Sequence, residues 1–579
     1  MNYSISDPSN NASVNLNEHP YRKDPGITLV DVDVSFPCET VPAPLEIRFS
    51  IPSVDIYSAD YMSSLYDKTL GVTWGMRQTG SCLVSGAPLH QLISADGRNR
   101  LTISLSDAMT PCIIATGINE HTAEVVCSVK LFTSPVSARS SYKTVLYLDF
   151  RDCRFDEARK TLERFWVEFC GYRSAYTPDA ARRPLYSTWY SFHQNVNVEE
   201  IIRQCALAKT YGMESVIVDD GWQFDKPAVG YNRCGDWEPA PGKVPDMKSF
   251  VDRVHALGMK FILWYSVPFM GTAAKSYERF KTMLLNPGNT ESPSLDPRFP
   301  EVRRYLTETY VKAAREWGID GVKLDFIDSF WLSEDTPEFD ARRDTVSLEE
   351  GVDRLLSDVT AGLRAVNPEF LIEFRQNYFG PVIRKYGNMI RVGDCACDSI
   401  RNHVAGIELR YALGSSAVHS DMLMWHRDSP VEAAAYQVIT TLFLVPQISV
   451  LLDRIPESHQ RMLAFYLRFW NDHRETLLDG ELSSDNPEGL YSQVRSVLNG
   501  EIIAVSFSNP VLNVTDDLSV HHINATDSDR LYLRFGSSYG RKHIRITDCT
   551  GQTVEESEHE IKPGIFEFSV PRCGILEVF

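Results

Sequence analysis

Between Leu185 and Leu452, short apolar runs alternate with amphipathic stretches, and this alternation restricts the fold more than any other feature of the chain. The runs are Leu185–Phe192, Ser215–Asp219, Lys260–Val267, Gly321–Asp325, Phe370–Phe374, Met389–Asp394, a weaker one at Ala417–Met422, and Gln447–Leu452. They are short and rich in Val, Ile and Leu, as buried parallel strands are. Apolar residues at helical spacing fill most of the gaps, at Val198–Tyr211, Met247–Leu257, Glu301–Trp317 and Leu348–Val366. Eight β-then-α units over roughly 280 residues predict a closed (β/α)8 TIM barrel.

The flanks read differently. Alternating segments at Ile27–Phe36, Leu101–Leu105 and Ser141–Phe150 are followed by one helical stretch from about Phe155 to Phe169. After about Gly489 the chain is β-rich again, at Leu490–Val497, Glu501–Phe507, Leu531–Phe535 and Gly564–Val570. Alternation of this kind builds sheets with one face toward a core. The expectation is a multidomain chain: an N-terminal β-sandwich with a linking helix over 1–175, the barrel over 176–480, and a small C-terminal β-sandwich over 481–579.

A formal net charge of −19 disfavours nucleic acid and anionic membrane as partners. No window reaches the ~18 uninterrupted apolar residues of a membrane helix. The longest apolar stretch, Val438–Leu452, is broken by Thr, Pro, Gln and Ser and reads as buried helix plus strand. Met1–Asp7 lacks the basic start and apolar core of a secretory signal, so a cytoplasmic location and reduced thiols are expected. The C-x-C pair Cys395 and Cys397 has no second cluster beside it, and no metal is expected.

Two acids close apolar runs: Asp325 after Gly321-Val-Lys323-Leu, and Asp394 after Met389-Ile-Arg391-Val-Gly393. Carboxylates at the C-terminal ends of different barrel strands converge on one mouth. One as nucleophile and one as acid/base is the least machinery that cleaves a glycosidic bond. Strand alternation sends Lys323 and Asp325 to the same side. If that side is the barrel interior, the lysine keeps the Asp325 carboxylate ionised, as a nucleophile requires. Asp394 is the candidate acid/base, with Arg391 three residues before it, and that role needs a raised pKa. Asp328 and Asp398 are rivals. Asp328 lies past its strand end, and Asp398 also suits the first turn of the next helix.

Asp219 and Asp220 adjoin at the end of the second run. Two acids there are costly to bury unless they hold something, and sugar hydroxyls suit them. A turn cap by one of them is the plain alternative. Trp189 and Trp222 are candidate flat faces for a sugar ring. His193, Glu373, Arg375, His419 and Asp421 also lie near strand ends, each as readily structural as functional.

Several motifs then follow in order: Val218-Asp219-Asp220-Gly221-Trp222, Gly235-Asp236-Trp237, Lys243-Val-Pro245, Arg253-Val-His255-Ala-Leu-Gly258-Met-Lys260, Leu263-Trp264, Leu295-Asp296-Pro-Arg298, and Val322-Lys323-Leu-Asp325. With Arg391–Asp394, this series resembles glycoside hydrolase family 36, the α-galactosidases or melibiases, and more distantly family 27. It is dense over about residues 185–330 and thinner to 455. The resemblance implies hydrolysis of terminal α-galactosyl groups, from galactose-containing oligosaccharides or galactosides, by a retaining double displacement. Asp325 would form the glycosyl-enzyme, and Asp394 would protonate the leaving oxygen and then activate water. It implies Asp219 and Asp220 on the 4- and 6-hydroxyls, Lys323 on the 3- and 4-hydroxyls, Arg391 toward the 2-hydroxyl, and Trp237 closing the pocket. No metal or organic cofactor is implied. Family members often form dimers or tetramers, which leaves a homo-oligomer open.

Three stretches depart from that pattern. Phe326-Ile327 stands where the family has Met-Asn, Tyr265-Ser-Val-Pro268 where it has Glu-Pro, and Phe374-Arg375-Gln-Asn377 where bacterial members have Cys-Ser-Gly-Gly. Arg375 near the 2-position would disfavour an N-acetyl group. The alternatives are a raffinose-synthase-type transglycosidase, a β-L-arabinopyranosidase or α-N-acetylgalactosaminidase, and a non-catalytic sugar-binding barrel. The last predicts loss of a catalytic carboxylate.

Overall fold

The computed structural model describes residues 1–9, 11–61, 67–225, 230–338 and 340–579. Eight parallel strands close into a barrel: β1 (Leu185–Ser187), β2 (Ser215–Val218), β3 (Lys260–Ser266), β4 (Gly321–Asp325), β5 (Leu371–Arg375), β6 (Met389–Arg391), β7 (Ala417–Leu423) and β8 (Val445–Ile448). β1 pairs back onto β8, which removes both sheet edges. Every expected run contributes a strand, but three differ from it by more than a residue. β1 stops at Ser187, and the chain turns into a single helical turn, Trp189–Phe192. β6 stops at Arg391, its last residue paired to Arg375 and His419, so Asp394 sits on the following loop instead of a strand end. β8 ends at Ile448, short of Leu452.

The outer helices show why the intervening sequence folds as it does. In Leu348–Val366 the buried residues Leu348, Val352, Leu355, Leu356, Val359 and Leu363 form one apolar stripe. Ser347 caps its N-terminus by accepting from the Glu350 backbone N–H at 3.2 Å. Helix Pro300–Trp317 starts on a proline and stops at Gly318, whose φ of +74° ends it in the left-handed region.

Before the barrel, a five-stranded and a six-stranded antiparallel sheet enclose a core that includes Val30, Val32, Ile47, Phe49, Ile103, Val129 and Leu146. Helix Phe155–Glu168 follows and buries Phe165 and Trp166 in the core shared with the barrel. After the barrel, a seven-stranded and a three-stranded sheet pack around Ile502, Leu512, Leu531, Ile544 and Leu576. The opposite face of the seven-stranded sheet carries Ile503, Val505, Ile523 and Ile575 into the barrel's core. The barrel is thus flanked by β-sandwiches, as the patterning predicts. The twelve cysteines are free thiols. Among the described residues no helix is long and apolar enough to cross a membrane.

Candidate active site

The C-terminal ends of β2 to β7 bring most of the predicted residues to one mouth. Lys323 and Asp325 both point inward from β4, with Lys323 Nζ 3.8 Å from Asp325 Oδ2. The closer partner of Lys323 is Asp219, at 2.6 Å across from β2. Asp325 is held on both oxygens: Oδ1 accepts from Arg375 Nε at 2.6 Å and from the Phe326 backbone N–H at 2.8 Å, and Oδ2 accepts from Trp264 Nε1 at 2.9 Å. Phe326 itself takes a left-handed φ of +64° as the chain leaves β4. Burial alone would raise the Asp325 pKa. Lys323, Arg375 and Arg391 outweigh it and hold the carboxyl far below the usual range, so Asp325 is ionised.

Asp220 follows a different logic. Burial pushes it up to about 6, although Gln194 and Gln223 each donate to it at 2.8 Å. The Asp219 backbone N–H donates to Thr188 Oγ1, and the Asp219 carboxylate accepts from Lys323 and from the Asp220 N–H.

On the far side, Arg391 is fully buried and shared among acids. Its Nη1 donates to Asp421 and lies 2.9 Å from Asp394 Oδ1, and its Nε is 3.7 Å from Glu373 Oε1. Arg391 Nε and Nη2 make no hydrogen bond to the described residues. Glu373 accepts from Gln447 at 2.6 Å and is pushed up to about 7 by burial. The Asp394 side chain is 61% exposed. What desolvation it has would raise its pKa, but Arg391 holds the carboxyl below the usual range. The raised pKa expected for an acid/base is therefore not present in the open mouth, because the nearest charge is a guanidinium.

The remaining candidates separate clearly. Asp328 lies beyond β4 and pairs with Arg375 at 3.3 Å. Asp398 caps helix Ser399–Ala412, accepting from the Arg401 N–H at 2.9 Å. His419 is structural: its Nε2–H donates to the Ala181 carbonyl at 2.7 Å. Trp189 is half-buried after β1 and lies obliquely against His193. Trp222, a proposed sugar face, is wholly buried and gives its indole N–H to the Trp264 carbonyl, which removes it from the mouth. Trp237 is buried and packs edge-on against Trp264 and Tyr265. Sequence reasoning assigned no role to Trp264, Gln194 or Gln447, whose partners lie on other strands or turns, or to Gln223, which bonds Asp220 within its own turn. The one available signal was Trp264 itself, a large residue near the end of β3.

Residues 172–343 match the Melibiase family model, a stretch that runs past β4 and contains Asp219, Asp220, Lys323 and Asp325. The match covers the first half of the barrel, β1 to β4. The α-galactosidase Mel36A of Lactobacillus acidophilus is 29% identical over 154 residues, which is 25% of this chain and 21% of that protein. The match thus spans about a fifth of that relative's length. The α-galactosidase of Lactobacillus brevis superposes with a TM-score of 0.66 at 14% identity, covering 100% of this chain and 85% of that one. A variant of the GH36 α-galactosidase AgaA from Geobacillus stearothermophilus, solved with raffinose, gives 0.66 at 14% identity, covering 98% and 81%. At such identities the likeness is one of fold, and it extends over the sheets on both sides of the barrel. Arg375, Arg391 and Asp394 lie outside the matched residues.

Proposed function

We propose that this chain is a retaining, exo-acting α-galactosidase that hydrolyses terminal α-D-galactosyl groups from oligosaccharides such as raffinose. The observation that carries this reading is an ionised Asp325 at the floor of the mouth, beside Lys323 and Asp219, with the solvent-facing Asp394 on the next loops round. Asp325 attacks the anomeric carbon as the glycosidic C–O bond breaks, and Asp394 gives its proton to the leaving oxygen. Asp394, now ionised, takes a proton from water. The water oxygen then attacks the anomeric carbon and releases Asp325. For the first step Asp394 must hold a proton. A sugar in the mouth strips water from its exposed carboxyl and leaves the Asp325 charge nearby, and both changes raise its pKa against Arg391.

Asp219, Asp220 and Lys323 offer two acceptors and a donor for the 3-, 4- and 6-hydroxyls. Arg375, laid against Asp325, narrows the 2-position side and favours a hydroxyl there over an N-acetyl group. The test is turnover of p-nitrophenyl α-D-galactopyranoside, the α-N-acetylgalactosaminide, the β-L-arabinopyranoside and raffinose by wild type and Asp325→Ala. The α-galactoside should be cleaved with the α-anomer of galactose released first, and the variant should lose about 10⁴-fold or more. First release of the β-anomer, or an active Asp325→Ala, would refute the mechanism. Galactosyl transfer in place of hydrolysis when an acceptor sugar is supplied would move the chain to the transglycosidases.

A further inference from the structure

We infer that His473, Glu501 and His521 form a binding site for a divalent transition-metal ion, zinc by donor chemistry, that clasps the C-terminal sheet to the last barrel helices. His473 joins helix Glu457–Asp472 to helix Arg474–Asp479. Glu501 opens strand Glu501–Ser506, and His521 lies in the parallel neighbour Ser519–Asn524. In their register Ile503 faces His521, so Glu501 and His521 share one face of the sheet. That face is the one whose Ile503, Val505, Ile523 and Ile575 join the barrel's core. The cluster is thus a polar island within an otherwise apolar contact.

The donor atoms of the three residues all lie within 4.8 Å of one another. His473 Nδ1 is 2.8 Å and His521 Nε2 is 3.2 Å from the same oxygen, Glu501 Oε1. Tetrahedral zinc, with bonds of about 2.0–2.1 Å, sets its donors about 3.3 Å apart, so each histidine nitrogen need move from the Glu501 oxygen by only a few tenths of an ångström. Two imidazoles and one carboxylate form a borderline-soft set that suits zinc above calcium or magnesium. The far ring nitrogen of the buried His521, Nδ1, lies 3.3 Å from Glu577 Oε1, and Glu577 is itself held by Arg545 at 2.6 Å. That nitrogen makes no hydrogen bond in this geometry, and a small rotation of the ring toward Glu577 would give it the carboxylate partner that orients metal-bound imidazoles. Cavities of about 270 Å³ and 430 Å³ flank His473, and both are lined by Asp472. They give water, or that carboxylate, access to the fourth coordination position.

The experiment uses tag-free full-length protein, stripped with chelator and titrated with Zn²⁺ and with Co²⁺. The readouts are bound metal by mass spectrometry, visible absorption of the Co²⁺ form, and thermal melting. The expected result is one saturable equivalent, a Tm raised by Zn²⁺, and an intense low-symmetry Co²⁺ spectrum. His473→Gln, at a partly exposed position, should abolish the spectrum while keeping the far-UV circular dichroism. Glu577→Gln removes no donor and should weaken binding about 10- to 100-fold. Absence of saturable binding by wild type would overturn the site and leave a proton-held clasp. So would binding unchanged in both variants.

Discussion

On the β2–β4 side of the mouth each acid is held in place: Asp219 by Lys323, Asp220 by Gln194 and Gln223, Asp325 by Trp264, Arg375 and the Phe326 N–H. On the β5–β7 side one guanidinium, Arg391, serves Asp421 and Asp394 and still has two nitrogens unbonded, while Asp394 faces solvent. The first side is preorganised, and it is the side that the Melibiase match covers. The second side holds its acids through one shared cation. The contrast suggests that recognition of the galactosyl group is kept in the fixed half. On the proposed reading, the leaving group and the 2-position are then read by the other half, at Arg375 and the Asp394 loop.

That division can be broken most forcefully at Asp394. Asp394→Ala should lower kcat on raffinose by about 10²–10⁴-fold and affect p-nitrophenyl α-galactoside less, because nitrophenolate leaves without a proton. Equal losses on both substrates would place Asp394 outside acid catalysis.

Asp220→Asn probes the fixed half. Losing a hydrogen bond to a charged acceptor should raise KM by about 10- to 100-fold. With Asp220 near 6, the wild-type KM should worsen as pH falls through that value, and the variant should lose the inflection. The sign also applies to stability. A carboxyl whose folded pKa is raised favours folding at low pH and loses that contribution as pH rises through about 6. The variant should therefore melt higher than wild type at pH 8 and not at pH 4.

Arg375→Ala connects the halves. It removes one of the cations that keep Asp325 ionised, so the acid limb of kcat/KM should move upward in pH. Activity on the α-N-acetylgalactosaminide should rise relative to the galactoside. A profile that does not move would mean Lys323 and Arg391 suffice.

The smallest effect is expected at Asp398. Asp398→Ala should cost about 1 kcal/mol of stability through loss of the helix cap, read by thermal melting, and leave kcat and KM nearly unchanged. A large catalytic loss would reinstate it as the rival to Asp394.

Much of this arrangement was legible beforehand. Parallel strands buried on both faces must be continuous apolar runs, so all eight could be located, and amphipathic spacing placed helix Leu348–Val366 to the residue. The acids closing β2 and β4 followed from strand alternation. Trp222 misled because an aromatic beside two acids looks the same in sequence whether it faces a mouth or, as here, the core. The position of Asp394 misled because Val392 and Gly393 extend an apolar run that loses its hydrogen-bonded neighbours after Arg391.

The sequence by itself determined where strands and helices form and which strand ends carry charge, because those depend on periodicities of two and 3.6 residues. Only the tertiary structure decided which charges meet. Closure of the barrel sets Lys323 against Asp219, Arg375 against Asp325 and Arg391 against Asp421. Ionisation follows from burial and from distances through space, so Asp325 and Asp394, both held below the usual carboxylate range, and Asp220, pushed above it, received their chemistry from the fold.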